Sequence, residues 1–243
     1  MRSPMHDSDF SRTADELATE TNPYEPEIGS LPRNELSQAE LDTVNKTGTT
    51  TIGITTAEGV VIATDMRASL GGRFVSNKNV QKVEQIHPTA ALTMVGSVGG
   101  AQSFISSLRA EVNLYESRRG EDMSMKALST LAGNFARGGP FFAIHPILGG
   151  VDHEGSHVYS IDPAGGVMED DYTVTGSGMQ LAYGHLEQAY EEGLSNEEAL
   201  TIAARGIKSA VERDTGSGNG VFLCEITGEG VDIHGHNEFE EVI

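Results

Sequence analysis

A threonine run follows a glycine in Lys46-Thr47-Gly48-Thr49-Thr50-Thr51-Ile52-Gly53-Ile54. Hydrolysis of the single bond after Gly48 would give Thr49 a free amine next to its hydroxyl, so that nucleophile and general base sit on one residue. Gly48 keeps side-chain bulk away from the carbonyl to be attacked. Further along come Asp65 in Asp65-Met66-Arg67, Lys82 in Asn79-Val80-Gln81-Lys82-Val83, and Gly96 in Met94-Val95-Gly96. Ser177 lies in Gly176-Ser177-Gly178, and Asp214 and Ser217 lie in Arg213-Asp214-Thr215-Gly216-Ser217-Gly218. Taken singly, each has an ordinary structural reading. Threonine is favoured in strands, an Asp and a Lys can form a structural ion pair, and Gly-Ser-Gly is a common loop. Two further patterns carry no chemistry. His234-Gly235-His236 offers a metal two imidazoles with no third ligand nearby, and Gly99-Gly100 lacks the Gly-Lys-Ser/Thr ending of a phosphate loop.

The junction at Thr49 is also where the pattern of the chain changes. Residues 1–48 hold four of the eight prolines, ten acidic and four basic side chains, and little apolar periodicity. They read as a largely disordered segment, with one short helix at Leu36 to Val44 capped by Ser37 and Glu40. From Thr49 on, Thr50, Ile52 and Ile54 alternate with Thr51, Gly53 and Thr55, which predicts a strand. More strands are expected at Val60 to Thr64, Arg73 to Val75, Lys82 to Ile86 and Ala90 to Val95. Apolar stripes at helical spacing predict helices over Gln102 to Arg118 and Ser124 to Arg137. Strands return at Phe141 to Val151, His157 to Asp162, Gly166 to Glu169 and Tyr172 to Gly176. A second helix pair covers Gln180 to Glu192 and Asn196 to Asp214, the latter opened by a Ser195/Glu198 capping box. Strands at Gly220 to Thr227 and Gly230 to His234 close the domain. Paired helices do not suit a βαβ winding, which takes one crossover per strand. They suit an α+β fold, a four-layer αββα sandwich of two antiparallel sheets flanked by helix pairs.

Composition narrows the function. The formal net charge is −20, with 36 acidic against 16 basic residues, and lysine is scarce at five against eleven arginines. Phosphate contacts need clustered cations, so nucleic acid is not an expected partner. A carboxylate-rich surface fits a protein kept soluble in high salt, where self-repulsion is screened and stability is expected to rise with salt. Cys224 is the sole cysteine, which excludes an intrachain disulfide and favours a reducing, cytoplasmic setting. It falls in the apolar stretch 220–226 and reads as a buried core thiol. No apolar run approaches the length of a membrane span, so membrane insertion is not expected.

Four motifs together, Thr-Gly-Thr-Thr-Thr, Ala-Thr-Asp-Met-Arg-Ala-Ser, Gly-Ser-Gly followed by Ala-Tyr-Gly, and Arg-Asp-x-x-Ser-Gly, resemble the archaeal proteasome β-subunits, members of the N-terminal-nucleophile (Ntn) hydrolases. The resemblance covers residues 47 to 235, and the acidic, lysine-poor composition looks haloarchaeal. It implies that residues 1–48 are a propeptide removed by autocleavage at Gly48–Thr49 and that 49–243 are the catalytic domain. Position by position, it makes Thr49 the nucleophile, with its free amine as base, and Asp65 the supporting carboxylate. Lys82 is the essential lysine if one residue is inserted in the Leu70-Gly71-Gly72-Arg73 loop; without it Gln81 would take the slot, but Val80 and Val83 keep the family's alternation only with Lys82. Gly96 supplies the oxyanion N–H, while Ser177, Asp214 and Ser217 position the nucleophile and a water. Ala68, Val80, Met94 and Val98 form the substrate pocket, whose small or apolar character implies a chymotrypsin-like preference. In Ser97-Val98-Gly99-Gly100-Ala101 a glycine stands where many relatives carry an acid.

No cofactor or metal is implied. The implied assembly is a 28-subunit barrel, in which homo- or hetero-heptameric β-rings stack between α-subunit rings and an ATP-dependent unfoldase cap delivers unfolded proteins. Two other readings remain at this point. One is a non-catalytic ring subunit of the same fold, disfavoured by the full set Gly48, Thr49, Asp65 and Lys82. The other is an N-terminal-nucleophile amidohydrolase acting on small amides.

Overall fold

The alternation that begins at Thr50 builds an antiparallel sheet whose central strands are buried on both faces. The computed structural model describes residues 48–138 and 144–243. The helix expected at Leu36 to Val44 and the first residues of the strand expected from Phe141 lie outside them. One five-stranded sheet has the order β10-β1-β2-β11-β12, from Tyr172–Gly176, Thr50–Thr55, Val60–Asp65, Val221–Thr227 and Gly230–His236. A second has the order β5-β6-β7-β8-β9, from Val83–His87, Ala90–Thr93, Ile147–Asp152, Gly155–Ile161 and Val167–Glu169. A small hairpin pairs β3 (Ala68–Leu70) with β4 (Phe74–Asn77).

Strand β2 shows why both faces are apolar. Successive side chains point to opposite faces. Val61 and Ala63 join Ile52, Ile54, Val174 and Leu223 in a core completed by Ala182, Leu186, Ala203 and Ile207 of two helices, α3 (Met179–Ala189) and α4 (Asn196–Val211). Val60 and Ile62 point the other way, into a core between the sheets shared with Val83, Ala91, Ile147, Val158, Cys224 and Ile226. Helices α1 (Val98–Arg119) and α2 (Met125–Gly138) pack on the outer face of the second sheet. The result is the expected four-layer αββα sandwich. The sheets approach closely at Gly53, where a Cβ would lie 2.8 Å from Ile147 Cγ2. Cys224 is fully buried between the sheets, and burial pushes its thiol up to about 12.

Several boundaries differ from the sequence reading. Helix α1 starts at Val98 rather than Gln102, because the Ser97 hydroxyl accepts from Gly100 N and caps the helix. Strand β3 is an added element. Gly71 and Gly72 adopt φ of 58° and 67°, and Arg73 N donates to Leu70 O, so the glycine pair turns a hairpin rather than an open loop. Helix α3 ends at Ala189 and α4 at Val211, both short of expectation, while β12 runs on to His236. The Ser195/Glu198 capping box is present. Among the described residues no helix is long and apolar enough to cross a membrane.

Candidate active site

Thr49 precedes β1 by one residue, so the sheet holds it rigidly while leaving its own groups outside the ladder. β1 lies between β10 and β2, pairing Thr50 with Gly176 and Thr51 with Thr64. This brings the loop after β10 to one side of Thr49 and the end of β2, Asp65, to the other. Lys82 arrives from the second sheet, one residue before β5, with its carbonyl accepting from Met94 N at 2.7 Å. Thr49, Asp65 and Lys82 are 1%, 0% and 3% exposed.

Lys82 Nζ donates to Thr49 Oγ1 and to Asp65 Oδ1, both at 2.7 Å. A structural ion pair would need only the second contact. Gln81, the alternative occupant of this position, is exposed and donates to Val83 O. Asp65 collects three backbone donors besides the ammonium: Thr50 N on Oδ1, and Arg67 N and Gly218 N on Oδ2, at 2.8–3.0 Å. Burial pushes the Lys82 ammonium below its ordinary value, opposed by the charge of Asp65. Burial likewise pushes the Asp65 carboxyl up, opposed by Lys82 and by the Thr50 and Gly218 N–H groups. With four donors converging on it, the carboxyl has no acceptor but Lys82 for a proton of its own, so the contacts are those of an ionised pair.

On the other side, Thr49 N donates to Ser177 Oγ at 3.1 Å. Ser177 and Ser217 both donate to Asp214 Oδ2 at 2.6 Å. Ser217 Oγ also lies 2.7 Å from Thr50 Oγ1. Gly48 N donates to Ser69 Oγ at 3.3 Å. Gly48 and Gly216 pass so closely that a Cβ on either would strike the backbone of the other.

A small cavity beside Thr49 and Lys82 is lined by Ala68, Val80, Met94, Gly96 and Val98, with Ser97 and Ala101. Gly96 has φ of 97°, a conformation glycine adopts without strain, and bridges to Ile144. Thus every site residue expected from sequence lies in one cluster or along this cavity. The sequence reading missed Thr50, Ser69, Arg67 and Asn219. Arg67 Nε donates to Asn219 Oδ1 and Nη1 to Thr215 O, which ties the end of β2 to the 213–219 loop. Asp65-Met66-Arg67 carried a readable signal, since an Asp side chain commonly accepts from the N–H two residues on. Asn219 before Gly220 is a turn pair, and its φ is 69°.

His234 faces Asp232 and His236 faces Glu241 on the exposed end of β12.

A protein-family model described as proteasome subunit matches residues 45–226. The proteasome subunit beta 1 of Haloterrigena turkmenica is 86% identical over 243 residues, the whole of both chains. Proteasome subunit beta of Natrialba magadii is 84% identical over 243 residues, again the whole of both. Proteasome subunit beta 1 of Haloarcula marismortui is 71% identical over 240 residues, 99% of this chain and 98% of that one. The fold, the family match and the full-length likeness to haloarchaeal proteins agree: the chain belongs to the proteasome subunit family, as a β-type subunit of the proteolytic core.

Proposed function

We propose that the chain is a self-processing threonine endopeptidase, with residues 1–48 as propeptide and 49–243 as the mature catalytic domain. The observation that carries this reading is the position of Thr49 Oγ1, 2.7 Å from Lys82 Nζ, on a residue whose nitrogen already faces Ser177. In the precursor that nitrogen is an amide and cannot act as a base. Attack of Thr49 Oγ on the Gly48 carbonyl carbon moves the acyl group from nitrogen to oxygen. Water then cleaves the ester, releasing residues 1–48 with a free carboxylate and leaving Thr49 with an amine.

In turnover the amine takes the hydroxyl proton, directly or through a water, as Oγ attacks a substrate carbonyl. The Lys82 ammonium, held charged by Asp65, favours the alkoxide and disfavours protonation of the amine. The Gly96 N–H stabilises the oxyanion. The proton passes to the leaving amine, and water hydrolyses the acyl-enzyme. Ser177, Ser217 and Asp214 orient the Thr49 amine. Ala68, Val80, Met94 and Val98 give the cavity an apolar wall suited to a hydrophobic side chain before the scissile bond.

By family, such subunits work within a multisubunit assembly. We place Thr49 inside a cytoplasmic barrel of heptameric β-rings between α-rings, fed with unfolded chains by an ATP-dependent cap. N-terminal sequencing of the chain from assembled particles should begin at Thr49. Thr49→Ala should keep residues 1–48 attached and show no peptidase activity; normal processing of that variant would defeat the proposal. Cleavage of a hydrophobic fluorogenic peptide no faster than an acidic or basic one would remove the chymotrypsin-like preference alone.

A further inference from the structure

At the end of β5 opposite Lys82, three potential metal ligands converge beside the last turn of α1. They are His87, Glu116 and Asp122, whose ligand atoms all lie within 4.8 Å of one another. The His87 side chain is 7% exposed, and its Nε2 lies 3.0 Å from Glu116 Oε1. Yet Nε2 has no hydrogen-bond partner, because that oxygen lies off the direction in which a ring N–H would point. A buried ring nitrogen thus lies beside a carboxylate without bonding to it.

The spacing suits a shared ion instead. Two ligand atoms each about 2.1 Å from a tetrahedral or octahedral metal stand about 3.0–3.4 Å apart. The far side of the ring is braced accordingly. Thr89 Oγ1 lies 3.1 Å from Nδ1 and donates its own proton to Val151 O at 2.8 Å. Nδ1–H can therefore donate to Thr89, leaving a lone pair on Nε2, the outer bracing that metal-binding imidazoles use. Thr89 N also reaches Nδ1, at 3.2 Å, and as the sole donor there it would leave the proton on Nε2 and no metal ligand. Glu116 sits in the last turn of α1, where the helix dipole favours a cation. Asp122 is exposed in the α1–α2 connection and brings a carboxylate oxygen within 4.8 Å of the other two ligand atoms.

The geometry points to a structural site for a divalent transition-metal ion, Zn2+ rather than an oxygen-only cation such as Mg2+, held by His87 Nε2, Glu116 and Asp122 and completed by water. Such an ion would join the end of β5, the end of α1 and the turn into α2.

Calorimetric titration of the full-length chain, stripped with a chelator and kept in the salt that maintains its fold, tests this with Zn2+ and with Mg2+. One Zn2+ per chain should bind, raising Tm, and Mg2+ should not compete. Glu116→Gln and Asp122→Asn should each weaken Zn2+ binding by at least about tenfold. Asp122 is exposed, so Asp122→Asn tests the site without endangering the fold. Substituting His234 and His236 by Gln should leave the affinity unchanged. No stoichiometric Zn2+, equal affinity in the Asp122→Asn variant, or loss of binding with the His234/His236 pair instead would each overturn the site. Because none of these residues touches Thr49, the outcome is independent of whether the threonine chemistry holds.

Discussion

Strands β1, β2 and β11 run from one kind of interior into another. Midway along the sheet, Val60, Ile62, Cys224 and Ile226 meet the second sheet through apolar contacts alone. At its end, Thr49, Asp65 and Ser217 are equally withdrawn from water, and Lys82 reaches them from the second sheet. The apolar region is held by a non-directional force and by packing, so it tolerates exchanges that conserve volume. The polar region is held by directed bonds, with four donors on Asp65 and two hydroxyls on one oxygen of Asp214. There, removing one partner strands another in a place water does not reach. Burial of the same degree therefore has opposite tolerances at the two ends of one strand.

The sharpest way to break this contrast is Lys82→Met. It conserves length and apolar volume, yet leaves Asp65 buried without its counter-ion, at a cost of about 3–5 kcal/mol. Processing and peptidase activity should fall by roughly 10²-fold or more in the folded fraction. Retained activity there would mean that the polar cluster is structural only. Ile62→Ala should cost about 2–5 kcal/mol in denaturant unfolding, while the activity per folded molecule is unchanged. A comparable loss of activity would show the two regions to be coupled.

Cys224 sharpens the apolar side. Burial raises its thiol from 9.0 to about 12, so the folded chain keeps a proton that the unfolded chain releases. Its contribution to stability is complete below pH 9 and declines as pH rises towards 12, and alkylation at mildly alkaline pH should track global unfolding. Fast alkylation of the native chain would contradict the burial. The smallest effect is expected at the border of the two regions, where Thr64 Oγ1 is buried with no hydrogen-bond partner. Thr64→Val should raise stability by about 1 kcal/mol; a loss would mean that the hydroxyl belongs to the polar cluster.

The two regions also differed in how legible they were. Alternation in residues 50–54 and the helical stripes gave the layers, because periodicity records which face is buried. The Ser97 cap and the Gly71-Gly72 turn were misread for one reason. Glycines look like loop until a neighbour fixes them, here a Ser hydroxyl over Gly99-Gly100 and a strand on each side of the pair. In the site, the candidate residues came from motifs and resemblance. The alternation of Val80 and Val83 already favours Lys82 over Gln81, but the geometry of the site needed the sheets to bring residues 49, 65, 82, 177 and 214 together. Arg67 and Ser69 stayed hidden because their partners, Thr215 and Gly48, are remote in sequence.

The close passage of Gly48 against Gly216 also bears on hydration. Gly48 fills a slot bounded by Ser69 Oγ, Ser177 Oγ and a bare stretch of backbone. On the proposed cleavage, that slot empties by about the volume of a glycine, room for roughly two waters. Its walls present hydroxyls on two sides and no side chain at Gly216 to close it. The departing segment would thus leave a wetted niche at the threonine, and the chain would gain with its nucleophile a place for the water that later frees it.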